Sequence, residues 1–445
     1  MEFTKMNIVS RKLVRPSVLT PPHLKTFKLS LLDQRMPSNL YGKITLFYPG
    51  SNNRASFATL ISKRSNHLQN SLSKTLASFY PLAGRLKDDV SIDCNDEGAY
   101  FVEAKMDCNL SDILSQPDPN SLEHFLPFTS DHEACNIVTL IKITVFNCGG
   151  TVVGICMLHK IADASSMLTF LRSWTADVRG QIGVLPKFIE PSLMPPSEIP
   201  IRPTPGLLGV QNFIRRRFVF NHSKMASLKA ESSTLLRKLG HNAPPTKVEL
   251  VTAILLKCAI ASSQSVLGRP RPSLMSQVVN LRNKMVPSLP ANTMGNLIFS
   301  FNIFIEDNNI ELPEIVVNIR KGFKDFCSHK ANRFKGEDAL AVISTSLREE
   351  DQLTSKMGVN IFRFTSMCGF PLYDMDFGWG KPIWATCRPG SFKNIFTLID
   401  TKGGEDIEAW VNLEKQEMDV FERSELLLSF ATLNPSAIIV GRSLL

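Results

Sequence analysis

Thr151-Val152-Val153-Gly154-Ile155-Cys156-Met157-Leu158-His159-Lys160-Ile161-Ala162-Asp163 decides how this chain is read. The first eight residues have the apolar character of a buried strand, and an imidazole stands at the strand's end. A histidine delivered where a dry sheet opens onto a cleft suits a general base, because it reaches a substrate proton while water is limited. Asp163, four residues on, opens a helical stretch over residues 164–178, where a carboxylate suits a helix start. Taken alone, H-x-x-x-D is common. A hydrogen-bonded core histidine beside an N-cap aspartate explains it without chemistry.

Outward from this stretch, helix and strand signals alternate. Val138 to Phe146 forms a second long apolar strand, joined to the first across Cys148-Gly149-Gly150. Upstream, Leu68, Leu72, Leu76 and Phe79 share one face of a helix that stops at Pro81. Residues 90–94 and 99–103 alternate as half-buried strands about the turn Asn95-Asp96-Glu97-Gly98. Prolines crowd from Pro186 to Gly206 without apolar periodicity, the mark of a surface connector. A second alternating half starts at Arg217-Phe218-Val219-Phe220, and Thr246 with Glu249 forms a capping box for a helix carrying Val248, Val251, Leu255 and Cys258. The 445 residues exceed one typical core and fit two domains of about 200 residues. The expected division is 1–190, a connector over 191–212, and 213–445.

Composition narrows the class. Hydrophobic residues make up 43% and charged residues 20%, values of an ordinary globular protein. The net charge of +9 permits anionic partners, but the basic residues are scattered and form no stripe with interleaved aromatics, so no nucleic-acid partner is expected. Nine cysteines without a C-x-x-C pair read as free thiols of a reducing compartment. The N-terminus lacks an apolar signal core, and the most apolar region, 137–158, is broken by Lys142, Asn147 and Gly149-Gly150. A cytoplasmic, monomeric protein without a membrane span is expected. His23, His67, His124, His132, His222, His241 and His329 stand singly, so no metal site is expected.

A second string lies far downstream, Asp376-Phe377-Gly378-Trp379-Gly380-Lys381-Pro382. Its first three residues match the magnesium loop of protein kinases, but no Gly-rich loop, His-Arg-Asp or Ala-Pro-Glu accompanies them. With the His159 motif, in this order and at this separation, it resembles the BAHD acyltransferases, plant enzymes that move acyl groups from coenzyme A onto alcohols and amines. Further matching strings are Ser30-Leu31-Leu32-Asp33-Gln34, Leu46-Phe47-Tyr48-Pro49, Phe79-Tyr80-Pro81-Leu82-Ala83-Gly84-Arg85 and Asp93-Cys94-Asn95-Asp96. Asn280-Leu281-Arg282, Met294-Gly295-Asn296 and Glu408-Ala409-Trp410-Val411 extend the likeness over nearly the whole chain. The resemblance implies an α/β (α+β) fold of two chloramphenicol-acetyltransferase-like domains, each a mixed, mostly antiparallel sheet flanked by helices. It also implies that a segment around 380–396 crosses back to complete the first domain, with a channel between the domains passing His159.

The chemistry follows from few parts. An acceptor hydroxyl needs a base as it attacks a thioester, and neutral imidazole fits; the same protonated ring returns its proton to the leaving thiolate. His159 is the expected base, with no covalent enzyme intermediate because the thioester is already activated. Asp163 either orients His159 as in a hydrolase triad or, as the resemblance favours, points away to pair with Arg282. Asp376 is a candidate second catalytic carboxylate. The resemblance instead gives Asp376, Phe377, Gly378, Trp379 and Gly380 a role in shaping the fold and the coenzyme channel. Cys156 reads as a core thiol rather than a nucleophile.

Thr365 and Met367 are expected in the acceptor pocket, on a strand where relatives usually carry Thr-Ser-Trp. A thioether in place of an indole softens and widens that wall. The expected reaction moves acetyl from acetyl-CoA, a co-substrate rather than a bound cofactor, to a hydroxyl of a bulky alkaloid or terpenoid. Rival readings are a hydroxycinnamoyl transferase and a catalytically idle relative acting as an interaction protein; an altered histidine would mark the latter, and His159 is intact.

Overall fold

Apolar alternation in the two halves builds two mixed sheets. The structure is a computed structural model, and it describes residues 6–50, 57–127, 136–189, 193–194, 196, 212–306, 309–390 and 392–438. The first sheet runs, in spatial order, Met6–Val14, Ala99–Met106, Thr139–Phe146, Thr151–Leu158, Tyr41–Tyr48 and Trp384–Cys387. Neighbours are antiparallel except Ala99–Met106 against Thr139–Phe146. Every residue of the two long apolar strands is buried, because Phe170 and Trp174 of the Ala164–Val178 helix and Leu68, Leu72 and Leu76 of the Phe57–Ser78 helix share their core. Lys142 is the charge among them. Its ammonium donates to the His124 carbonyl at 2.7 Å, and burial lowers its pKa to about 8.

One local reading needs correction. The segments on either side of the Asn95–Gly98 turn are strands, but they do not pair with each other. Ser91–Asp93 lies between Thr26–Lys28 and Arg85–Asp88 in a small sheet, whereas Ala99–Met106 enters the main one. The cause is Asp96, whose backbone is left-handed (φ 61°) and whose carboxylate accepts from Thr20 N at 3.0 Å and Thr20 Oγ1 at 2.5 Å. Tied to that earlier segment, the turn cannot close as a tight hairpin.

The second sheet runs Ile298–Ile305, Ser273–Asn280, Asn360–Ser366, Ile395–Asp400, Ile407–Leu413, Ile214–Phe220 and Ala431–Leu433. Asn360–Ser366 is parallel to both its neighbours, and the remaining pairs are antiparallel. Phe301, Phe362 and Phe396 share a core with the Lys247–Leu267 helix. That helix starts in the Thr246/Glu249 capping box and stops at the left-handed Gly268. It is long and apolar enough to cross a membrane, yet 67% of its most apolar window is buried within the fold. The expected connector lies outside the described residues apart from Leu193, Met194, Pro196 and Asn212.

Trp384–Cys387, late in the chain, pairs with Tyr41–Tyr48 in the first sheet. Trp384 stacks on Phe47 at 4.7 Å and donates to Glu408 Oε2 at 3.1 Å on the second sheet. An ion cluster, its arginines buried and its carboxylate partly exposed, adds to this seam. Glu123 of the first half meets Arg215 of the second at 2.8 Å and Arg388, just past the crossing strand, at 3.1 Å. Burial alone would raise the Glu123 carboxyl, but Arg388, Lys43 and Arg215 outweigh it and hold the pKa down to about 2.

Candidate active site

His159 leaves the Thr151–Leu158 strand with its backbone N–H bonded to the Leu40 carbonyl at 2.7 Å. Next to it, Lys160 is buried and holds the turn from below: its ammonium donates to the Met36 carbonyl at 3.0 Å and the Gln34 carbonyl at 3.3 Å, and meets Asp89 at 3.2 Å. The imidazole is half-buried and lines a cavity of about 260 Å³ between the two sheets. Met36, Leu40, Ile44, Met167, Val278 and Phe392 supply much of its apolar wall.

The ring's protonation follows from Asn296. Its Nδ2 donates to Asp33 Oδ1 at 2.9 Å and to the His159 carbonyl at 2.6 Å, both oxygens, so the amide nitrogen must stand on that side. Its Oδ1 therefore faces His159 Nδ1, at 2.9 Å. An amide oxygen only accepts, so Nδ1 carries the hydrogen and Nε2 keeps the lone pair. Asp33 anchors the arrangement. Fully buried at N3 of the Leu31–Gln34 turn, it accepts from Ser30 N and Oγ on one oxygen and from Asn296 N and Nδ2 on the other. Burial raises its pKa, against the lowering effect of these bonds.

Asp163 does not face the ring. It caps the Ala164–Val178 helix, accepting from Ser166 N at 2.9 Å, and grips Arg282 in a two-pronged pair at 2.7 and 3.0 Å. Leu297 N also donates to it, at 3.1 Å. Arg282 in turn donates to the Thr293 and Gly295 carbonyls, Ser166 Oγ and Asn280 Oδ1. Helix start, His159 turn and the Asn296 loop are thus one hydrogen-bonded unit.

Asp376, a candidate catalytic group from sequence, does not line the cavity that His159 lines. Its Oδ1 accepts from Gly378 N at 2.8 Å and Gly380 N at 3.0 Å, and the Arg179 guanidinium bonds its backbone carbonyl rather than its carboxylate. Both glycines have positive φ, 87° and 104°, which side chains resist. The loop so formed packs Phe377 on Trp174 at 4.7 Å and Trp379 on Phe377 and Tyr48. Its geometry is that of a packed turn. Cys156 is buried, and burial pushes its thiol up to about 12, which leaves no thiolate at neutral pH. Thr365 and Met367 both line the cavity.

Sequence reasoning quoted Asp33 and Asn296 but assigned them no role. Asp33 sits in a recognisable S-x-x-D capping box; its link to His159 spans well over a hundred residues, and no local pattern encodes it. The role of Asn296 can be measured. Asn296→Leu keeps the bulk and removes the acceptor, so kcat is expected to fall by about tenfold or more as the tautomer and ring angle are released. Near-normal kcat in a folded Asn296→Leu variant would exclude this role.

Known proteins resemble this chain over nearly its whole length. A family model described as the Transferase family matches residues 4–427. A limonoid 7-O-acetyltransferase of Citrus sinensis is 34% identical over 96% of this chain and 98% of its own length. The stemmadenine O-acetyltransferase of Catharanthus roseus is 33% identical, covering 95% and 98%. The crystal structure of vinorine synthase superposes with a TM-score of 0.83 at 32% identity, covering 98% of this chain and 100% of that one.

Proposed function

Because the chain belongs to the BAHD acyltransferase family and is an acyltransferase, we propose that it moves acetyl from acetyl-CoA to a hydroxyl of a bulky terpenoid or alkaloid, with His159 as general base. The observation that carries the reading is the Asn296-locked imidazole, its Nε2 lone pair available beside a largely apolar cavity. In this mechanism the acceptor oxygen bonds to the thioester carbonyl carbon as Nε2 takes its proton. The tetrahedral adduct collapses, the carbon–sulfur bond breaks, and the imidazolium hands the proton to the thiolate, releasing ester and free coenzyme A. No enzyme-bound acyl group forms.

The test is incubation of purified protein with acetyl-CoA and a panel of terpenoid and alkaloid alcohols, read by mass spectrometry. A product heavier by one acetyl group, formed by the wild type and nearly absent with His159→Ala, is expected. No acetylated product from any acceptor rejects the reading.

Met367 offers a second handle on the pocket. It is 7% exposed and lines the cavity with Thr365. Met367→Trp fills part of that space, and bulky acceptors should meet overpacking of about 1–3 kcal/mol, or roughly ten- to hundredfold in kcat/KM. The KM for acetyl-CoA should hardly change. Equal loss with small flat alcohols would place Met367 outside the acceptor wall.

A further inference from the structure

The floor of the cavity is not apolar. Four strands of the second sheet turn Phe301, Phe362 and Phe396 into the helix-packed core and show the opposite face to the cavity. On that face stand Ser276, Ser300, Asn302, Thr365 and Thr397. Register sets them in two rows, Asn302 and Ser276 running on to Arg363 in one, and Ser300, Val278, Thr365 and Thr397 in the other. At about 4.8 Å between strands and about 6.8 Å per two-residue repeat, they form a patch roughly 14 Å by 7 Å.

Four hydroxyls and one carboxamide therefore share one wall, and none of these side chains makes a hydrogen bond among the described residues. Burial grades along the patch from Thr397, 4% exposed and with a fully buried Oγ1 lacking a partner, to Asn302 on the exposed edge strand. The charges beside it, Arg363 and Glu350, face each other at 2.5 Å. With Arg363 neutralised by Glu350, the hydroxyls and the carboxamide are the wall's uncharged readers, and each both donates and accepts. A hydrocarbon surface laid against it would strip water from the groups that solvent reaches, Ser300, Asn302 and Thr365, and return nothing. A surface bearing ketone, ester, lactone or hydroxyl oxygens would satisfy them.

We infer that this wall reads oxygen functions on the acceptor, so that the substrate is an uncharged, oxygen-rich polycyclic alcohol rather than a protonated amine. The inference rests on the acyl-transfer reading of the same cavity. A site built to hydrogen-bond its substrate rejects the analogue that lacks those groups more strongly than an apolar pocket rejects a change of size.

The test compares three probes: a tetracyclic terpenoid alcohol with ketone and ester groups, its parent whose only oxygen is one hydroxyl, and a polycyclic amino alcohol protonated at neutral pH. Equilibrium binding to the wild type is measured by calorimetry, and kcat/KM with acetyl-CoA beside it. The oxygen-rich probe is expected to bind at least tenfold more tightly than either other. Thr365→Val keeps the shape and should weaken it by about 3- to 10-fold, while the single-hydroxyl parent holds or gains and the KM for acetyl-CoA stays fixed. Ser300→Ala, at another half-buried position, repeats the test where Thr365→Val fails to fold. Equal binding of oxygen-rich and parent alcohols, tighter binding of the amine, or equal losses for all probes in the variants overturns the inference. Binding without acetyl transfer rejects the acyl-transfer reading and leaves the wall standing.

Discussion

His159→Ala is expected to lose about 10²–10⁴-fold in kcat, the usual contribution of a positioned general base, while melting at nearly the wild-type temperature. The two halves of that expectation have separate grounds. The side chain's polar partner is Asn296, whose Nδ2 keeps its bonds to Asp33 and the residue 159 carbonyl after truncation. No second base takes over: Asp163 is spent on Arg282, Asp376 on the amides of its own turn, and the Cys156 thiol stays protonated. Single-turnover kinetics with saturating acetyl-CoA measure the loss directly. Near-normal turnover would remove His159 from the mechanism.

The second large effect is on stability. Asp163 and Arg282 are 1% and 3% exposed, and breaking a buried pair from one side typically costs about 3–5 kcal/mol. The two single variants should not be equal. Asp163→Ala leaves a guanidinium that still bonds the Thr293 and Gly295 carbonyls, Ser166 Oγ and Asn280 Oδ1. Arg282→Ala leaves a buried carboxylate with two backbone N–H donors and unties the loop that carries Asn296, so it should be the worse for both folding and kcat. The double variant should be harmed less than the sum of the two. Urea denaturation of all four proteins closes the cycle, and strict additivity would contradict the observed pairing.

Much of the architecture was legible because it is written in local patterns. The buried strand before His159, the helix after Asp163 and the Thr246/Glu249 box each rest on spacing within one element. The family, and with it the two-sheet fold, was legible from strings scattered over the chain. What sequence could not supply is contact between distant strings. Nothing near Asp33 announces that its carboxylate fixes the amide of Asn296, or that this amide fixes the tautomer of His159. The Asn95–Gly98 turn misled for the same reason. Its residues suit a hairpin, but Thr20 and Lys25 claim Asp96 from outside the window. Asp376 drew a catalytic reading from its chemistry, whereas the left-handed glycines beyond it show that its carboxylate closes a turn. The hydroxyl wall was invisible because its members lie one or two per strand over four strands, each pattern being that of an ordinary half-buried strand.

The strand Trp384–Cys387 has a consequence for the chain as it is made. The Tyr41–Tyr48 strand leaves the ribosome early, finds its inner neighbour in Thr151–Leu158, and then waits for its outer one until some two hundred further residues have been added. At about 5–20 residues per second, its outer backbone groups stay open for roughly 10–50 s. An unpaired edge of apolar residues is a template for strands of other nascent chains. The first half is therefore not a unit that matures on its own during synthesis; its yield is set by how well that edge is shielded until the crossing strand arrives.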